Sequence, residues 1–431
     1  MAVLFVVPFL VPMSAYIQQV EALATNTLGQ PVSIGSLRVA LLPSPRLNVG
    51  DVVVGKHREL TIAHISVVPA LTSLLSETKV ISSLRVIKPM STKDALNILA
   101  GLATEAEGKP SNNAVNVRQI IIKDAKLDWP GMRLLEMNAD ISLSAESKPE
   151  AAKIESVDGQ LKFNFIPQSS RQLITLTAKE WILPMGAPLL INQLQMNMVL
   201  TESKLEVSKI DGTFYGGKLS GVANLTWGKS YKINGKIKLD NLALHEPATL
   251  LTKSTSVSGQ LFSSGQYTAT AKEPAQLADN LHANFKFNVK DGVLYGFDLA
   301  KAPLMLLGQG KGGETKFDEF TGLLGISGKT YQLRNLQISS GLMLTYGAVK
   351  INPNKSLNGE VKVEVKNSMK IAAIPLQVSG TLDNPTVFPT KAAIAGAVAG
   401  TALLGPVGTG VGIKAGEAIG DLKGLFIGDE K

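Results

Sequence analysis

Strict alternation of apolar and polar residues along short segments is the feature that most constrains the fold of this chain. In residues 232–240 (KINGKIKLD), Ile233, Ile237 and Leu239 alternate with lysine, asparagine and aspartate. Successive side chains of a β-strand point to opposite faces, so such a segment forms a strand with one apolar and one polar face. The same period recurs in residues 160–165, 285–290 and 360–366. The pattern predicts a mainly β region.

The apolar face of each predicted strand must be covered. The strand region extends from about Val117 to Pro389, which exceeds one ordinary sandwich. Two alternatives remain, namely two β-domains in tandem, or one elongated, twisted antiparallel sheet curled into an apolar groove. We favour the single sheet with short N-terminal helices. The residues predicted to line its groove are Leu161, Phe163, Phe165, Ile233, Ile237, Leu239, Phe285, Phe287, Val289, Val361, Val363 and Val365.

The amino-acid composition indicates which partner such an apolar surface contacts. Charged residues make up 18% of the chain against 45% hydrophobic residues, which favours apolar surface in contact with lipid. A packed interior rich in small residues would give the same composition. The formal net charge of +8 suits anionic headgroups. Aromatic residues are only 5%, and no basic run interleaves with them, so nucleic acid is not expected as a partner.

The N-terminal residues 1–20 carry no charged side chain, since Glu21 is the first one. We interpret them as a membrane anchor whose upstream part is missing from this chain, because Pro8 and Pro12 interrupt a spanning helix. The alternative is a buried apolar arm. A helix is predicted over Ser14–Leu28 with Gly29 as its C-cap. Further short helices are predicted at 71–75 and 93–102, and a polar linker at 104–116.

The C-terminal residues 391–431 form a glycine-rich tail of a different kind, predicted to be helical. On a helix its regular spacing gives one small-residue stripe, the surface used for close helix contact in membranes. Membrane contact and packing on the β-region are both open, as is disorder, because so much glycine disfavours helices in water. The glycines predicted to make helix contacts are Gly396, Gly400, Gly408, Gly412, Gly416, Gly420 and Gly424.

Residues that carry chemistry are sparse. The chain has no cysteine, and its four histidines have no metal-ligand spacing, so neither a metal site nor a cofactor is predicted. The carboxylates lie beside lysines on the polar faces of strands, where solvation explains them. We therefore expect no catalytic residues and no enzyme activity. Rows of lysine such as Lys232, Lys236 and Lys238 fit either solubility or attraction to anionic headgroups.

Several longer phrases resemble one known family. An internal echo, DGTFYGG (211–217) and DGVLYGF (291–297), predicts a repeated strand–turn module. The chain resembles the AsmA family over most of residues 1–390. The resemblance rests on those two phrases and on LGQPVSIGSLRVALLPSPRLNVGDVVVG (28–55), residues 65–89, residues 312–352 and IPLQVSGTLDNPTVFP (374–389).

The resemblance implies an organisation and a role. It implies an anchor at 1–20, a chorein-like region at 21–103, the linker at 104–116 and an AsmA-like β-region at 117–390. It further implies a Gram-negative inner-membrane protein with its bulk in the periplasm, and phospholipid, membrane and other envelope proteins as partners. Family members are similar to bridge-like lipid-transfer proteins, which suggests phospholipid transport and outer-membrane lipid homeostasis. The alternative is a scaffold for outer-membrane protein assembly.

Overall fold

The computed structural model describes residues 14–73, 76, 78–92, 94–95, 115–128, 135–183, 188–250, 257–296, 298–299, 313–341, 343–365, 373–399 and 413. Strands dominate this part of the chain, and the predicted mainly β class is confirmed. The helices are α1 (Ser14–Leu28), α2 (His245–Thr249) and α3 (residues 391–399), with 3-10 turns at Leu71–Ser73 and Pro274–Gln276.

The first ten strands are β1 (Val32–Ala40), β2 (Arg46–Val54), β3 (Leu60–Pro69), β4 (Lys79–Thr92), β5 (Val115–Val117), β6 (Gln119–Asp128), β7 (Leu135–Leu143), β8 (Pro149–Ser156), β9 (Leu161–Gln168) and β10 (Arg171–Ile182). The remaining strands are β11 (Leu190–Leu200), β12 (Lys204–Phe214), β13 (Gly217–Thr226), β14 (Tyr231–Ala243), β15 (Val257–Ala271), β16 (His282–Tyr295), β17 (Glu314–Ser327), β18 (Thr330–Ser339), β19 (Met343–Ile351), β20 (Leu357–Val365), β21 (Ile374–Thr381) and β22 (Asn384–Pro389).

The chain divides into two compact units. The first unit comprises residues 1–188 with 195–201, and the second comprises residues 189–194 with 202–431. The predicted linker at 104–116 lies outside the described residues up to residue 114, and its last two residues begin β5. Strand β4, before this linker, pairs with β6, after it. The regions predicted on its two sides therefore contribute to one sheet of the first unit.

In the first unit, each of β1 to β3 pairs antiparallel with the next strand, and so does each of β6 to β9. Strand β4 instead runs parallel to β5 and β6. The prediction of a purely antiparallel sheet is wrong at this point. A parallel pair needs a crossover of about a dozen residues or more, and the chain between Thr92 and Val115 is longer than that.

Helix α1 closes one end of the first unit, and its bounds match the prediction for Ser14–Leu28. The backbone amide of Ile34 in β1 donates to Glu21 Oε1 at 2.7 Å, and Gly29 ends the helix at φ +61°. Its apolar side packs on the buried residues of β1 and β2. Residues 14–20 of the predicted anchor thus belong to α1, and Ile17 and Val20 pack on the sheet. Residues 1–13 lie outside the described residues.

The second unit is an antiparallel meander in which each strand from β12 to β22 pairs with the next. Its first turn shows how the sequence closes a hairpin. Tyr215 and Gly216 both have positive φ, at 44° and 75°, between the paired residues Phe214 and Gly217. Two successive positive φ angles define the tight turn that matches the twist of the flanking strands.

β-bulges interrupt the ladders of both units. The register shifts by one residue near Asp124 in β6, near Asn241 in β14 and near Asn335 in β18. Each of these three residues has a left-handed backbone, with φ between 50° and 59°. Asparagine and aspartate tolerate this conformation better than other residues with side chains. These three bulges therefore occur where the sequence places such a residue within a strand.

The Asp-Gly echo lies inside strands as well. Asp211-Gly212 is within β12 and Asp291-Gly292 is within β16, where Asp291 has φ +50°. In the first phrase, the turn of the predicted strand–turn module comes after the Asp-Gly pair, at Tyr215 and Gly216. An added side chain at Gly292 would collide with the carbonyl of Ser258 and the ring of Phe317. Close approach of backbones, and not chain reversal, requires this glycine.

Candidate functional site

The apolar residues predicted for β14 and β16 lie on one face of the second unit. Ile237 pairs with Gly265 in β15, and Gly265 pairs in turn with Phe285 in β16. Leu239 connects to Phe287 through Ser263 in the same way. Cross-strand partners share a face of the sheet. The predicted residues of these two strands therefore form part of one apolar surface, which we call the second-unit strip.

The second-unit strip continues through the later strands without a change of face. Val289 pairs with Phe320, and the row goes on through Ile338 and Thr345. Thr345 pairs with the predicted residue Val363. Val361 joins the same face, since it pairs with Gly347 and with Leu376. The side chain of Val365 is outside the described residues, although its backbone ends β20.

The first unit has a comparable apolar row, which we call the first-unit strip. Phe163 in β9 pairs with Ile154 in β8 and with Leu176 in β10. The rings of Phe163 and Phe165 lie nearly parallel, 6.2 Å apart, and Leu161 is buried at the start of the strand. The row crosses every strand but the short β5, through Leu37, Val49, Ile65, Val86, Ile122, Ala139, Ile154, Phe163 and Leu176.

Among the described residues, helices cover one end of each strip. In the first unit, α1 packs over β1 to β3. In the second unit, Ala393 and Ala397 of α3 pack into the core formed by β16 to β22. Val289, Val361 and Val363 belong to this closed core, with 3%, 7% and 0% of their surface exposed. The structure thus places these three predicted groove residues in a protein core, because residues distant in sequence cover them.

The other end of each strip is open within the described part of the chain. Ile233, Ile237, Leu239 and Phe285 are half-buried and lie outside the core clusters of the second unit. Phe163 and Phe165 of the first unit are also half-buried and outside the core cluster beneath α1. A contiguous apolar surface without a covering layer marks a site of contact with lipid or an apolar partner.

The polar face of the second unit also forms a concavity, with a volume of about 990 Å³. It is lined by basic side chains including Lys236, Lys286 and Arg334. Lys238 is paired with Asp240 at 2.8 Å, and both side chains are well exposed, so the pair contributes little stability. Among the described concavities of this unit, the largest therefore lies on the polar face, whereas the sequence predicts an apolar groove. The lysine rows remain open to both interpretations.

Comparison with known proteins gives one match. The model of the AsmA family matches residues 185–328. Residues 185–328, which we call the AsmA-family region, are thus similar to this family. This confirms the predicted resemblance over β11 to β17, and outside these residues the resemblance stays a prediction. No curated protein matches, and no solved structure does.

The AsmA-family region contains all six predicted groove residues of β14 and β16, and it shows how its strip is built. An added side chain at Gly265 would collide with the ring of Phe285, and one at Gly322 would meet the ring of Phe287. Aromatic rings thus lie over glycines of the neighbouring strand and complete the apolar surface. Sequence reasoning missed these pairs, although glycine within an alternating strand is the signal for such an approach.

Tyr267, also in the AsmA-family region, lies with its ring over Gly235 on the second-unit strip. Burial raises the pKa of its phenol above the ordinary value of 10.0. The folded state therefore favours the neutral phenol, and this contribution to stability is complete below the unfolded pKa. It is lost as the pH rises through the folded pKa.

We predict that the free energy of unfolding falls more steeply between about pH 8 and about pH 11 in the wild type than in Tyr267→Phe. Urea denaturation of both proteins across this range measures the difference. The variant keeps the ring and every other tyrosine, so it isolates this one phenol. Parallel pH profiles for the two proteins would show that Tyr267 ionises without cost to the fold.

The tail begins with a defined helix start. The backbone amide of Ala393 donates to Thr390 Oγ1 at 3.2 Å, as in an N-cap. Ala393 and Ala397 are buried against the sheet, whereas Gly396 is half-buried. For α3, the packing alternative is thus correct, and alanines make the contact. The other glycines predicted for helix contact, Gly400, Gly408, Gly412, Gly416, Gly420 and Gly424, lie outside the described residues.

Two further observations concern metal ions and membranes. The described residues contain no group of three histidine, aspartate or glutamate side chains that could hold a metal ion. Within the same residues, no helix is long and apolar enough to cross a membrane.

Proposed function

We propose that this chain is an inner-membrane-anchored periplasmic protein of a Gram-negative envelope that binds phospholipids along its apolar strips and guides them between membranes. Its role would be outer-membrane lipid homeostasis, without catalysis, cofactor or nucleic acid. The observation that carries the proposal is the pair of in-register apolar strips that lack a covering layer over much of their length. The similarity of residues 185–328 to the AsmA family supports an envelope-associated role.

The physical basis is the cost of exposing acyl chains to water. Each methylene group of a lipid that leaves a membrane costs about 0.8 kcal/mol in water. Rows of apolar side chains repeat from strand to strand at about 4.8 Å. A chain moving along such a strip exchanges one apolar contact for an equivalent one. This lowers the barrier to movement and requires no reacting group.

Localisation and the anchor belong to the same proposal. The uncharged residues 1–13 precede α1, which is docked on the sheet. A membrane segment there would hold the first unit close to the bilayer from which lipid is taken. Other envelope proteins are proposed as partners, because the strips are open surfaces.

The test uses two Lys substitutions on opposite faces of adjacent strands. Ile237 lies on the second-unit strip, whereas Val222 in β13 lies on the polar face with 40% of its surface exposed. We predict that Ile237→Lys binds phospholipid at least about tenfold more weakly, because its ammonium group must be buried against acyl chains. Val222→Lys is expected to bind as the wild type does.

Co-purified phospholipid is quantified by mass spectrometry, and affinity is measured with a fluorescent phospholipid. Circular dichroism establishes that both variants are folded. If folded Ile237→Lys retains as much phospholipid as Val222→Lys, the strip is not the lipid surface and the proposal fails.

A scaffold for outer-membrane protein assembly is the second candidate. The closed core over Val361 and Val363 favours it for the C-terminal strands, since that part of the strip is already covered by protein. A wild-type protein that carries no phospholipid but captures outer-membrane proteins would support this candidate over transport.

A further inference from the structure

A partly enclosed cavity lies between the sheet and its cover at the C-terminal end of the second-unit strip. Its volume is about 340 Å³, and its walls come from β15 to β22 with Ala248 of α2 and Leu299. Of the 17 lining residues, 16 are apolar and the exception is Thr345. An apolar cavity of about 150 Å³ stays dry and accepts benzene. This cavity has more than twice that volume, so it can admit a medium-length hydrocarbon chain.

Thr345 is an anomaly in this apolar setting. It has 2% of its surface exposed, and its buried Oγ1 has no hydrogen-bond partner among the described residues. Its cross-strand neighbours are Ile338 and Val363, and neither side chain can bond to a hydroxyl. A buried hydroxyl without a partner destabilises a fold, and valine would fill the same space without that cost.

Water is a poor partner for this hydroxyl. A buried water needs two to four polar partners, and Thr345 is the single polar side chain in the lining. The backbone groups of β18 to β20 are engaged in the ladders of the sheet. A ligand that brings one acceptor on an otherwise apolar body would satisfy the oxygen and fill the volume together.

We propose that this cavity binds the end of a single acyl chain bearing a neutral ester group, with Thr345 Oγ1 donating a hydrogen bond to the ester carbonyl oxygen. The lining contains no basic residue, so a buried phosphate or free carboxylate would remain uncompensated, and the ester is preferred over the acid. This inference rests on the proposed lipid binding and adds to it a discrete site with its own ligand chemistry.

The experiment compares the wild type with Thr345→Val in the full chain. The probes are methyl heptanoate and decane, which have equal numbers of non-hydrogen atoms. Bound probe is measured by equilibrium dialysis with gas chromatography. We expect Thr345→Val to bind methyl heptanoate roughly tenfold more weakly and decane equally well, because only the ester loses a hydrogen bond. Without probe, the variant is expected to melt at a higher temperature than the wild type.

A second variant, Val349→Phe, fills the cavity from its wall. It is expected to lose binding of both probes at this site. Equal ester binding by wild type and Thr345→Val overturns the proposal, and so does ester binding that survives Val349→Phe. Heptanoate serves as the charged probe, and binding as tight as that of the ester would also overturn it.

Failure here is distinguishable from failure of the proposed function. If phospholipid co-purifies and depends on Ile237 while Thr345→Val leaves ester binding unchanged, the strips carry lipid and the cavity site is wrong. If ester binding depends on Thr345 but the amount of bound phospholipid does not depend on Ile237, the cavity site is supported and transport along the strip is rejected.

Discussion

Val363→Lys is expected to unfold the second unit, with a loss of more than about 4 kcal/mol in the free energy of unfolding. Val363 is fully buried, and its cross-strand partners are Thr345 and Ile374. None of these groups can compensate an ammonium charge. Hydrogen exchange followed by mass spectrometry measures the effect, because it reports the protection of peptides in β17 to β22 separately from those of the first unit.

Val222→Lys is the matched control, since it places the same charge at an exposed strand position of the same unit. It is expected to change the free energy of unfolding by about 0.5 kcal/mol or less. Native-like protection of β20 in Val363→Lys would contradict the closed core and would instead place Val363 in an open groove.

Gly292→Val is expected to destabilise the second unit by about 3 kcal/mol. An added Cβ atom at Gly292 would collide with the carbonyl oxygen of Ser258 and the ring of Phe317. The ring has 4% of its surface exposed and belongs to the core, so it cannot move aside without disturbing its neighbours. Chemical denaturation measures the loss.

The control is Gly325→Val, in β17. There the nearest atom to an added Cβ is the end of the Arg334 side chain at 3.3 Å, which can move. Valine suits a strand, so this variant is expected to be neutral or slightly stabilising. Equal stability of the two variants would show that β15 and β16 can separate at Gly292 without cost.

Much of the local structure follows from sequence patterns. The period of two places β9, β14, β16 and β20 where alternation predicts strands. The bounds of α1 follow from its apolar spacing and the glycine that ends it. These features depend on neighbouring residues, which is why one sequence suffices to predict them.

Burial could not be predicted in the same way. Ile237 and Val363 occur in equivalent alternating segments, yet one is half-exposed and the other is completely buried. The difference arises from Leu299, α3 and Ile413, which belong to the core around Val363 although they are distant from it in sequence. The cavity beside Thr345 depends on the same cover. Alternation marks which face of a strand is apolar but not what lies against it.

The parallel pairing of β4 with β6 escaped prediction for a related reason. Alternation is identical in parallel and antiparallel strands, so the direction of pairing depends on the path of the intervening chain. The bulges at Asn241 and Asn335 also escaped, because an asparagine in a strand predicts a turn equally well.

These bulges have a consequence for how the meander finds its alignment. A slip of one residue between strands exposes every apolar side chain, but a slip of two residues keeps each face intact. Repetitive segments such as residues 232–240 are therefore nearly degenerate in alignment. Asn241 and Asn335 remove this degeneracy, because a left-handed residue fits its partner strand at one offset only. The two asparagines therefore restrict the hydrogen-bonded ladders of this repetitive sheet to a single native register.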